Sequence, residues 1–66
     1  MYFVSYTPEQ EAVLCTANQT LRPALTALYR HLQDGIEFPD AVFKVTHKFN
    51  VVSDQLEALF DAVESA

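Results

Sequence analysis

The chain has 66 residues, half of them hydrophobic, with nine acids against four bases and a formal charge of −5. That describes one small domain: too apolar for disorder, and too poor in positive charge for a surface that grips many phosphates. No run approaches the ~18 apolar residues of a membrane span, and the lone Cys15 excludes an internal disulfide.

Tyr2 to Thr7 is aromatic and β-branched, the composition of a strand. A strand needs a mate, and the nearest candidate is residues 11–17, with Pro8-Glu9-Gln10 as the loop between them. The reading therefore expects an N-terminal β-hairpin over about 2–7 and 11–17. Its two open edges could pair with a second chain. A rival signal lies in the same place. Thr7-Pro8-Glu9-Gln10 has the form of a capping box with Pro at the first helical position, which would make 8–17 a short helix. Val13, Cys15, Thr16 and Asn18 are indifferent helix formers, so the hairpin is preferred. The expected fold is α+β, with all-α as the alternative.

The next helix is expected over about 20–34. Thr20 would cap it, and Pro23 is tolerated in its first turn. Leu21, Leu25, Leu28 and Leu32 form a narrow stripe, flanked by Ala24 and Tyr29. Asp34-Gly35 ends it, because glycine takes the left-handed conformation cheaply. Ile36 and Phe38, in the short link, are expected to tuck into the core.

A third helix is expected over about 39–49, opened by Pro39 and carrying Ala41, Val42, Val45 and Phe49 on its apolar side. A fourth follows over about 53–65, with Ser53 as its cap and Leu56, Leu59, Phe60 and Val63 on one face. Asn50 suits the left-handed end of the third helix. Thr46, Phe49, Asn50, Val51, Ser53, Leu56 and Leu59 together resemble the helix-turn-helix pattern of DNA-binding proteins. The resemblance covers about residues 39–63 and departs from the pattern at Asn50, where glycine is usual. It implies a second helix that enters the major groove, as in a transcription regulator acting as a dimer.

Charge argues against that function. Glu9 and Glu11 balance Arg22 and Arg30 in residues 1–33, so the whole −5 falls in residues 34–66. Asp54, Glu57, Asp61 and Glu64 lie in one stripe about 80° wide on the last helix, and no base follows Lys48. A groove read through those acids would set like charges together.

Phe43 points well away from the apolar side of its helix, beside Asp40 and His47. An aromatic there is either covered by the N-terminal strand or a contact for another chain. Lys44, His47 and Lys48 give a mildly basic patch around it. The candidate partner-binding residues are therefore Asp54, Glu57, Asp61, Glu64, Phe43 and His47.

Cys15, His31 and His47 match no zinc spacing and form no recognisable nucleophile–base arrangement, and there is no Gly-rich phosphate loop. A small thiol and two surface histidines are the simpler reading. No catalytic group, metal or cofactor is expected. The unpaired cysteine and the absence of a signal-peptide pattern point to a reducing, cytoplasmic setting.

The function expected is that of a small acidic, non-enzymatic protein-binding module, an inhibitor or adaptor that meets a basic partner surface. In composition it resembles accessory proteins of phages and mobile elements. A homodimer is expected from the surplus apolar content and the open hairpin edges. The alternative is the helix-turn-helix regulator.

Overall fold

The computed structural model describes residues 5–66. Helix α1 spans Pro8–Thr16, α2 Leu21–Gln33, α3 Phe38–Phe49 and α4 Ser53–Ser65, and there is no strand among the described residues. The α+β expectation is overturned and the all-α alternative holds. Of the expected hairpin, residues 2–4 lie outside the described residues, 5–7 carry no regular structure, and 11–17 belong almost wholly to α1.

The capping box decides this segment. Thr7 N–H donates to Gln10 Oε1 at 3.0 Å, and Gln10 N–H donates to Thr7 Oγ1 at 3.2 Å. Two donors that a helix start leaves orphaned are thus satisfied reciprocally, with Pro8 at the first position. The poor propensities of Val13, Cys15 and Thr16 cost only a few tenths of a kcal/mol each. Burying Leu14, 1% exposed where α1 packs on α4, gains about 1.5–3 kcal/mol and outweighs them. Gln10 does further work: its Nε2 donates to Val63 O at 3.0 Å, satisfying a carbonyl in the last turn of α4.

The start of α2 differs from expectation in its cap. Thr20 makes no capping bond to the helix; instead Asn18 Oδ1 accepts from Thr20 N–H at 3.0 Å and from Thr20 Oγ1 at 2.9 Å. Asn18 therefore shapes an Asx-type turn ahead of the helix. At its end Gly35 has φ +89°, Gly35 N–H donates to Leu32 O, and Ile36 N–H donates to His31 O. That is the paired bonding of a Schellman stop.

Helix α3 begins one residue before Pro39, which sits in its first turn. Asn50 is left-handed, at φ 56°, and Val51 N–H donates to Thr46 O at 3.3 Å. Residues 50–52 are all that separate α3 from α4. The expected cap at Ser53 is not found: Val52 precedes α4 without a side-chain bond, and Leu56 N–H donates to Val52 O.

The core gathers Leu14 from α1, Leu21, Ala24, Leu25 and Leu28 from α2, Ala41, Val42 and Val45 from α3, and Leu56, Leu59 and Val63 from α4. No polar side chain among the described residues is buried with it. An aromatic run closes one edge. Phe38 and Phe60 rings lie 5.1 Å apart, Phe60 and Tyr29 5.3 Å, and Tyr29 and Tyr6 6.2 Å. It ties the start of α3 to α4, α2 and the segment before α1. Arg22 Nη2 reaches both carboxylate oxygens of Glu11, at 2.9 and 2.8 Å, and so links α1 to α2.

Candidate functional site

A groove runs along the outside of the α3–α4 corner. Its upper part, of about 370 Å³, has Phe38, Pro39, Val42 and Phe43 on one wall and Ser53 and Glu57 on the other. Its lower part, of about 390 Å³, continues past Phe43 and His47 to Asn50 and Val51. Phe43, Thr46 and Ser53 belong to both parts, so Phe43 stands at the middle of the groove.

The backbone explains why. Val42 and Val45 turn inward and are buried, whereas Phe43 lies on the opposite side of α3 and is 70% exposed. Its ring stacks on the His47 imidazole one turn later, with centroids 6.2 Å apart and planes within 11°. The two rings lie along the helix beside the groove. No N-terminal strand covers Phe43 among the described residues. Val52, at the turn into α4, is the other large apolar side chain standing in solvent among the described residues, 56% exposed.

Of the four acids on α4, Asp54, Asp61 and Glu64 are exposed and Glu57 is half-buried as part of the groove wall. Glu64 is set apart from the rest. It lies close enough to the Tyr29 hydroxyl to raise the phenol's pKa, in addition to the larger upward push from burial. The structure therefore brings together Phe43, His47 and Glu57 at one groove and leaves Asp54 and Asp61 on the open flank of α4. Glu64 sits by the aromatic run.

Two features escaped the sequence reading. The groove wall formed by Phe38, Pro39 and Thr46 depends on how α4 sits beside α3, which spacing along one helix does not give. The second is basic. Lys48 does not belong to the patch around Phe43; its ammonium lies 5.8 Å from the Phe49 ring centroid, on the side of α3 that faces α2. There it lines a separate groove of about 480 Å³ with Arg22 and Arg30. The helical angle between Phe43 and Lys48 could have shown this, since five residues on α3 turn the side chain to the far flank.

No group of three or more His, Cys, Asp or Glu among the described residues is placed to hold a metal ion. No helix among them is long and apolar enough to cross a membrane. Comparison of the chain with protein-family models, curated proteins and solved structures finds no match.

Proposed function

We propose that this chain is a non-enzymatic protein-binding module, acting in the cytoplasm as an inhibitor or adaptor. Its α3–α4 groove would receive a basic, partly apolar segment of a partner protein. The observation that carries this reading is Phe43, an aromatic 70% exposed at the centre of a groove whose opposite wall presents Glu57. Aromatic anchors are what interface cores favour. A carboxylate across the groove, with Asp54 and Asp61 on the same flank, favours a cationic side chain of the partner. His47, stacked on Phe43 one turn later, widens the aromatic surface offered at the groove.

The test is capture of partners from source-cell extract by tagged wild type and Phe43→Ala, with nuclease added. Phe43→Ala should lose the partner while keeping its helix content and melting temperature. Retention of the same partner by the variant would rule out the groove. Truncation of a fully buried Phe costs about 3–5 kcal/mol, so a Phe43→Ala chain that unfolds would mean the ring is core. The regulator reading is addressed in the same experiment: a wild type that holds specific duplex DNA at ~0.15 M salt would favour it over the groove.

A further inference from the structure

The α2–α3 groove collects three of the chain's four basic residues, Arg22, Arg30 and Lys48, in a protein whose charge is −5. Its floor is apolar, with Ala27 and Phe49. Arg22 is already engaged by Glu11. Arg30 and Lys48 are exposed, and neither forms an ion pair among the described residues. The acids of α4 do not reach this groove within the molecule, since Glu11 to Arg22 is the one ion pair among those residues.

We infer that the α2–α3 groove docks the acidic flank of α4 from a second copy of the chain. The two surfaces match in sign. Asp54 and Asp61 are seven residues apart on α4, a rise of about 10.5 Å, and lie on one flank. Arg30 from α2 and Lys48 from α3 are the bases of the groove that Glu11 does not engage. Two free acids on one surface thus meet two free bases on the other. The donor and acceptor surfaces are different parts of the molecule, so each copy carries one of each. Two copies satisfy both at once in a reciprocal two-fold dimer, or pass the free surfaces on to further copies.

Magnitudes set the conditions. The molecule measures 27 × 25 × 19 Å, so the centres of docked copies lie roughly 20–25 Å apart. At ~0.1 M salt the screening length is about 10 Å. Repulsion between the two net charges is then largely screened, whereas paired side chains at contact distance still attract. At ~1 M salt the length falls to about 3 Å and the pairs weaken too. Exposed pairs are individually weak, so assembly belongs to high concentration. The contact shares Asp54 and Asp61 with the flank of the Phe43 groove, and purified chains, with no partner present, test it apart from that reading.

Sedimentation velocity at ~0.1 M salt tests it on three purified chains: the wild type, Arg30→Gln with Lys48→Gln, and Asp54→Asn with Asp61→Asn. The wild type should form a dimer or a larger species as concentration rises, and should return to monomer at ~1 M salt. Each double variant alone should stay monomeric. Mixed in equal amounts, they should form a one-to-one dimer and stop there, because only one competent pair of surfaces remains. Formation of that dimer also shows that both variants are folded. A wild type that is monomeric throughout, variants that assemble like the wild type, or a mixture that stays monomeric would each overturn the proposal.

Discussion

Tyr29 and Phe43 show how far a single side chain's behaviour follows from its place on a helix. Both are aromatic and both sit on amphipathic helices, yet Tyr29 packs between the Tyr6 and Phe60 rings while Phe43 stacks on His47 alone among the described rings. Burial, with Glu64 nearby, holds the Tyr29 phenol's pKa above its usual value of about 10. The folded chain therefore keeps this proton more tightly than the unfolded chain. Stability from the phenol is complete below about pH 10 and is lost as the pH rises from there toward the folded-state value. Tyr29→Phe removes that loss. Urea midpoints followed from pH 9 to 11 should fall more steeply for the wild type than for Tyr29→Phe. Parallel curves would show that neither burial nor Glu64 perturbs the group.

Among the elements, the stops are better determined than the starts. Gly35 ends α2 at φ +89°, and a methyl group added there would meet nothing within 4 Å. The cost of Gly35→Ala is then the backbone's alone, about 1–2 kcal/mol for an L-residue in the left-handed region. At about 4–8 °C per kcal/mol in a domain of this size, thermal melting should register it clearly. An unchanged melting temperature would mean that the Schellman stop contributes nothing. Such stops were legible in the sequence because only Gly and Asn take the required conformation cheaply, and Gly35 and Asn50 stand where two apolar stripes break off. The starts were less legible. Thr20 and Ser53 have the chemistry of caps, but the turn before α2 uses Asn18, and α4 begins on the backbone of Val52. Several polar residues in a row compete for one capping role, and the tertiary path decides among them. The error at α1 came from weighing propensity above the reciprocal bonds of Thr7 and Gln10. Its deciding contact, Leu14 against α4, joins distant parts of the chain and left no local trace. The candidate site divides the same way. Phe43 was visible from its angle on one helix, but the groove around it needs two helices side by side.

At the scale of the whole molecule, charge is sorted by surface more finely than the two halves of the sequence suggest. Bases collect between α2 and α3, and acids spread along α4, but the acids are not equivalent. Asp61 is exposed on the flank, whereas Glu57 is half-buried in the wall facing Phe43. Exposed charges chiefly set the rate of encounter and its salt dependence, and charges desolvated within a contact set the rate of dissociation. Asp61→Lys should accordingly slow association with a basic partner and flatten its salt dependence, with dissociation little changed. Glu57→Lys should slow association and also speed dissociation, because it places a cation inside the groove against the partner's own. Both positions lie on α4 away from the buried Leu56, Leu59 and Val63, and lysine is a good helix former, so the helix signal should hold in each. Surface-binding kinetics at two salt concentrations would separate the variants. Equal effects on both rates would show that the groove wall and the open flank are one electrostatic surface. The double variant, Glu57→Lys with Asp61→Lys, carries the control for nucleic acid. If it gains weak, salt-sensitive DNA binding that the wild type lacks, these acids are what keep the α3–α4 corner off the duplex.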